Sequence, residues 1–256
     1  MDVRTAFDKA LDHLRATLEQ MARWGCSGFE CPAETVAIVR KWAAAGQTEP
    51  SVGGSPAPIA VGPRPSTTRT ADKETLDRIQ KDLGACRRCG LASGRTHIVF
   101  GEGSTDARLV FIGEGPGAEE DLSGRPFVGP AGQLLTKIIQ AMHLTREQVY
   151  ICNVIKCRPP GNRDPEPQEI ATCKPFLLRQ LAAIRPEVIC TLGTHATRTL
   201  LDTNAPVSKM RGRFHTFHEI KVMPTYHPAY LLRNPDRKRE VWEDMKKIMA
   251  LLRIPL

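Results

Sequence analysis

Two short segments, far apart in the chain, carry side chains suited to one chemical task. Gly113-Glu114-Gly115-Pro116-Gly117 follows the apolar run Leu109-Val110-Phe111-Ile112, and His227-Pro228-Ala229-Tyr230-Leu231-Leu232 follows a second apolar run ending near Pro224. Small residues let main-chain N–H groups approach a planar ligand closely. The same turn also suits an ordinary strand-to-helix connection. Proline holds the residue before it extended, so the imidazole of His227 could be presented to a carbonyl oxygen on a leaving group. A lone histidine is more often structural, but of seven histidines only His227 stands in a His-Pro loop after a strand.

Two further side chains fit a flat, polar-edged ligand. Asn153 ends the run Tyr150-Ile151-Cys152-Asn153. Its amide offers a donor and an acceptor together, the complement of the edge of a base such as uracil. Asparagine equally suits turn capping. Phe127 lies in Gly124-Arg125-Pro126-Phe127-Val128-Gly129, where a loop aromatic can stack on a base or anchor the loop in the core. Three carboxylates, Glu119-Glu120-Asp121, stand between these motifs.

The cysteines divide unequally. Cys86-x-x-Cys89 can place two sulfurs on one metal centre, and Cys157 and Cys173 add two more thiols. A single CxxC is ambiguous between metal and redox use; with four thiols, a cluster or zinc is favoured. Arg87, Arg88, Lys156, Arg158 and Lys174 would offset four thiolates, or face phosphates. Cys152 and Cys190 lie in apolar runs and read as core. Cys26 and Cys31 read as structural.

These residues need elements to hold them. Lys73–Leu83, Ala131–His143, Gln168–Ile184, Thr194–Leu201 and Arg237–Leu252 read as helices. Arg108–Gly113, Gln148–Val154, Glu187–Gly193 and Lys221–Thr225 read as strands. Short apolar strands alternating with helices imply a parallel sheet covered on both faces. Ligands of such sheets bind beyond the carboxyl ends of the strands, where Glu114, Asn153 and His227 all fall. Before this domain (73–256), residues 4–24 and Thr35 to Ala45 have helical spacing, giving a helical extension over 1–45. A linker rich in Gly, Pro and Ser follows over 46–72.

Charge and hydropathy narrow the function classes. The net charge is +8; residues 1–75 hold 9 basic and 9 acidic side chains, and residues 76–256 hold 27 and 19. A basic C-terminal domain suits a polyanion such as DNA, although basic surfaces also serve solubility. No run of about 18 apolar residues and no secretory leader are evident, so no membrane partner and a cytoplasmic location are expected.

Taken together, these motifs resemble the family-4 uracil-DNA glycosylases, the iron–sulfur branch of that superfamily, over roughly residues 76–250. The likeness rests on Cys86-x-x-Cys89, the Gly-Glu-Gly-Pro-Gly turn with Glu120-Asp121, Gly124 to Gly129 with Ala131-Gly132-Gln133-Leu134-Leu135, Asn153 through Cys157-Arg158-Pro159-Pro160, Cys173, and the His227 motif. The resemblance implies an α/β fold in three layers (α/β/α) around a mainly parallel sheet. It implies a [4Fe-4S] cluster on Cys86, Cys89, Cys157 and Cys173, structural rather than redox-active in the reaction. It further implies excision of uracil from DNA to leave an abasic site. Glu114, Gly115 and Pro116 would line the base pocket, Phe127 would stack, Asn153 would read the polar edge, and His227 would bond O2. Glu114 or Glu120 would position the water. The better-known branch carries Gly-Gln-Asp-Pro-Tyr at the first motif, and Gly115 and Gly117 stand here in place of its Asp and Tyr. Covalently trapping relatives carry Lys-Arg-Arg-Ile-His where this chain has Gly161-Asn162-Arg163-Asp164-Pro165, so ordinary turnover is expected.

No lysine is placed for Schiff-base chemistry, so a monofunctional enzyme is expected. Leu231 and Leu232 would wedge into the DNA and Arg233 would hold a phosphate. A monomer is expected, with residues 1–45 as a docking hairpin for a protein partner. The rival readings are a non-catalytic iron–sulfur nucleic-acid-binding module on the same fold and a zinc protein using the same thiols.

Overall fold

Four short apolar runs set the architecture, because strands buried on both faces have no polar side to show to water. In the computed structural model, which describes residues 74–255, these runs are β2 (Leu109–Gly113), β3 (Tyr150–Asn153), β4 (Val188–Leu192) and β6 (Ile220–Thr225). Every residue of β2, β3 and β4 is buried. They pair in parallel, and two antiparallel edge strands, β1 (Glu102–Gly103) and β5 (His215–Phe217), complete a six-stranded sheet ordered β1-β3-β2-β4-β6-β5.

The alternation of side chains along each strand divides the core into two apolar clusters, one per face. On one face Val110, Ile112, Cys152 and Ile189 pack with α1 (Leu76–Leu83), α4 (Pro167–Ile184) and α5 (Gly193–Leu201). On the other, Leu109, Phe111, Ile151 and Cys190 pack with α3 (Pro130–Ala141), α7 (Pro228–Arg233) and α8 (Lys238–Leu252). Two short helices, α2 (Ala118–Ser123) and α6 (Val207–Met210), lie in connections. The three-layer reading therefore stands, with element ends moved by a few residues. Thr75, for example, caps α1 by accepting from the Arg78 N–H at 3.3 Å, so that helix begins later than the sequence pattern suggests.

Register gathers the chemistry. Gly113 lies opposite Asn153, and Leu192 opposite Thr225. The carboxyl ends of the four parallel strands thus share one rim, from which the Glu114, Gly193 and His227 loops depart. Among the described residues, no helix is long and apolar enough to cross a membrane. The expectations for the 1–45 extension and the 46–72 linker fall outside the described residues.

Candidate active site

A cavity of about 470 Å³ opens at that rim, lined by the Glu114–Gly117 turn, Glu120, Phe127, Asn153, His227, Tyr230 and Arg233. Asn153 forms its floor. The side chain is 1% exposed, and its Oδ1 is a buried oxygen with no hydrogen-bond partner. A buried acceptor left unpaired is unfavourable by about 1–3 kcal/mol, so this atom marks where a donor from a ligand belongs. The Phe127 ring and the Asn153 amide meet over Gly113, where a Cβ would overlap both. Gly113→Ala should therefore displace ring and amide together and cut kcat/KM by about 100-fold, while the melting transition stays cooperative. Activity within threefold of the parent would show that the floor tolerates the methyl.

Phe127 is held in an unfavourable conformation by several contacts. Its φ is +53°, in the left-handed region that non-glycine residues rarely adopt. The main chain at Phe127 lies so close to Gly132 that a Cβ there would overlap it. Arg146 donates to the carbonyls of Phe127 and Pro126 at 2.9 and 2.7 Å and is itself paired with Glu102. Glu120 binds the same loop from the other side. Its Oε1 accepts from the N–H groups of Val128 and Gly129 at 2.8 and 2.9 Å, and its Oε2 accepts from Gly117 at 3.1 Å. Both oxygens are engaged by main-chain donors, which makes Glu120 a tie between the glycine turn and the Phe127 loop.

Glu114 has no such ties. Burial raises its carboxyl above the usual range, opposed by His195 and reinforced by Asp164. His195 Nε2 lies 3.9 Å from Glu114 and 3.3 Å from Asp164. One ligand atom from each of the three lies within 4.8 Å of the others, a spacing that a divalent cation could bridge. His195 escaped the sequence reading. Its signal was Gly193-Thr194-His195 directly after a strand, the placement that drew attention to His227.

His227 caps α7 and accepts from the Ala229 N–H at Nδ1, 3.1 Å away. Accepting there fixes the neutral tautomer, with hydrogen on Nε2. Burial depresses its pKa to about 4, so the ring is uncharged at neutral pH. Its centroid is 5.6 Å from that of Phe127.

Leu231 corrects an expectation. It is 0% exposed and packs in the core of the α7 face, so it cannot reach DNA. Leu232 is 47% exposed. Successive side chains on a helix diverge by about 100°, so one leucine of the pair faces inward when the other faces out. Arg233 lines the cavity mouth.

Beyond the same carboxyl end of β3, the segment after Asn153 leads to a sulfur-rich corner formed by the four thiols. Cys157 is buried, and Cys86, Cys89 and Cys173 are partly buried against the same core cluster. Cys173 and Cys89 each act electrostatically on Cys157, and Cys89 and Cys86 on Cys173. Donors point at the sulfurs: Arg95 Nη1 to Cys157 at 3.4 Å, the Lys156 N–H to Cys173 at 3.3 Å, and the Arg88 side chain to Cys86. Burial, opposed by Arg95, pushes the Cys157 thiol up to about 11. Among the described residues, no three of these sulfurs lie within 4.8 Å of one another.

Residues 100–246 match the family model described as the uracil DNA glycosylase superfamily. A type-4 uracil-DNA glycosylase of Saccharolobus solfataricus is 45% identical over 188 residues, covering 70% of this chain and 87% of that protein. One from Thermotoga maritima is 45% identical over 185 residues, covering 71% and 96%. A type-5 uracil-DNA glycosylase of Pyrobaculum aerophilum is 30% identical over 152 residues, covering 53% and 67%.

Proposed function

The chain belongs to the type-4 branch of the uracil-DNA glycosylase superfamily and is a DNA-repair enzyme that excises uracil; from that premise we propose how its residues divide the work. The observation that carries the reading is the unpartnered, buried Oδ1 of Asn153. Uracil offers an N3–H to that oxygen and an O4 to the amide nitrogen. Reaching this floor requires the nucleotide to leave the stack. Phe127 stacks on the flipped base, and the exposed Leu232 fills the gap while Arg233 holds a phosphate.

The reaction is a hydrolysis. As the bond between the sugar C1′ and uracil N1 breaks, its electron pair moves onto the base and spreads to O2. His227 Nε2–H donates to that oxygen, and main-chain amides of the Gly115–Gly117 turn face the same charge. A water oxygen bonds to C1′ and passes a proton to Glu114; Glu114 then gives that proton to solvent and the departing uracil anion takes one up at N1, leaving free uracil, an abasic sugar and the ionised carboxylate. Glu114 takes this role rather than Glu120, whose oxygens are already engaged. Lys156, although close in sequence to the site, is fully buried and cannot reach the sugar, in keeping with a monofunctional enzyme.

Glu114 must be ionised to accept the proton, and burial raises its pKa. Excision should therefore fall, as pH drops, at a pH above that of an ordinary carboxylate. Glu114→Gln should abolish this acid limb along with most of the rate; an unchanged limb would assign it elsewhere.

The four thiols suit a [4Fe-4S] cluster held by Cys86, Cys89, Cys157 and Cys173. The donor set is all sulfur, and N–H groups are directed at it. When bound, such a cluster supplies cross-linking and negative charge rather than redox chemistry in the excision. Iron and sulfide analysis of anaerobically purified protein tests this; a colourless, zinc-loaded preparation would contradict it.

A gel assay on an oligonucleotide bearing one uracil tests the activity itself. Abasic product, with the strand intact until alkali is added, is expected. Binding without any abasic product would favour the non-catalytic module.

A further inference from the structure

Lys156 is the unusual group that the reaction leaves unused. It is 0% exposed, and its ammonium donates to the Asn153 carbonyl at 2.8 Å and to Gln180 Oε1 at 2.6 Å. Gln180 is held in turn by donating to the Phe100 carbonyl and the Tyr150 hydroxyl, each at 3.0 Å. Both acceptors of the ammonium are uncharged. A buried charge without a counter-charge is strongly unfavourable. Burial pulls its pKa down, opposed by the neighbouring sulfurs of Cys152 and Cys173.

We infer that Lys156 is a positioning residue that ties the sulfur corner to the base-reading amide. The inference rests on the proposed cluster and on Asn153 as the reader of uracil. Main-chain geometry makes the connection. The Lys156 N–H donates to Cys173 Sγ, and the next residue, Cys157, is a second sulfur of the corner. The same residue's ammonium fixes the carbonyl of Asn153. The peptide that follows Asn153 donates from Val154 to the Gly113 carbonyl at 2.9 Å, and Ile155 donates to the Glu114 carbonyl at 3.1 Å. One side chain thus sets the floor of the cavity and, through it, the turn that bears Glu114.

The test uses full-length, anaerobically purified protein and Lys156→Met, which keeps the length of the side chain and removes its charge. Iron and sulfide content should match the parent. Inhibition of excision by free uracil should weaken about tenfold. A lysine that serves only the fold would lower the melting temperature and leave uracil inhibition at the parent's value. Uracil inhibition within twofold of the parent would overturn the inference. If Lys156→Met does not hold iron, Gln180→Leu keeps the lysine and removes its side-chain acceptor, together with the bonds to Phe100 and Tyr150. It should weaken uracil inhibition too, and unchanged inhibition there would also overturn it. Parent protein without iron, or Asn153→Ala with unaltered uracil inhibition, would bring down the underlying reading as well, and would be seen without any Lys156 variant.

Discussion

His227→Ala should slow single-turnover excision by about 10²–10³-fold while leaving affinity for uracil-containing DNA within about twofold. The effect is large because the ring is prepared for one act. Nδ1 is engaged by the Ala229 N–H, so the only hydrogen of the neutral imidazole is on Nε2. The depressed pKa keeps the ring neutral until pH falls to about 4. Protonation would place a second hydrogen against the Ala229 N–H, so the active form is the one that prevails at neutral pH. Charge on O2 develops only as the glycosidic bond breaks, so a donor to that oxygen stabilises the transition state more than bound DNA. Equal losses in rate and affinity would show instead that His227 merely shapes the DNA-facing loop. Because the ring packs beside Phe127, a melting curve on the variant separates lost chemistry from a disturbed wall.

Asn153→Asp should lower uracil excision by about 10³-fold or more and bring weak excision of cytosine. At a position 1% exposed, burial favours the neutral acid. A protonated carboxyl offers O–H toward N3 and C=O toward the 4-amino group, the pattern cytosine needs. Uracil would then meet a donor opposite its own N3–H. If uracil remains the preferred base of the variant by the parent's margin, Asn153 does not read the edge.

The centre of the sheet was legible because its strands are buried: β2, β3 and β4 are buried throughout and β6 over its last four residues, so apolar runs announced all four. The edge strands were not. β1 is two residues long, and β5 joins β6 through His218 and Glu219, both at positive φ, where the usual Asn-Gly or Gly signal is missing. At the site, Glu114, Phe127, Asn153 and His227 were found because each follows a strand or sits in a glycine-framed loop. What sequence could not supply was the tertiary closure. Nothing local showed that Glu120 would spend both oxygens on main-chain N–H groups, or that Arg146 and Glu102 would clamp Phe127. The Leu231-Leu232 pair was misread for a related reason: only helix phase and packing decide which leucine faces the core.

Free uracil and 3-methyluracil, compared as inhibitors of excision by the parent enzyme, test the central claim most directly. The methyl group removes the N3–H that the lone oxygen of Asn153 awaits and puts bulk against it. Uracil should inhibit, and 3-methyluracil should be weaker by about 30-fold or more. Equal inhibition by the two would contradict the claim that this cavity recognises its base through Asn153.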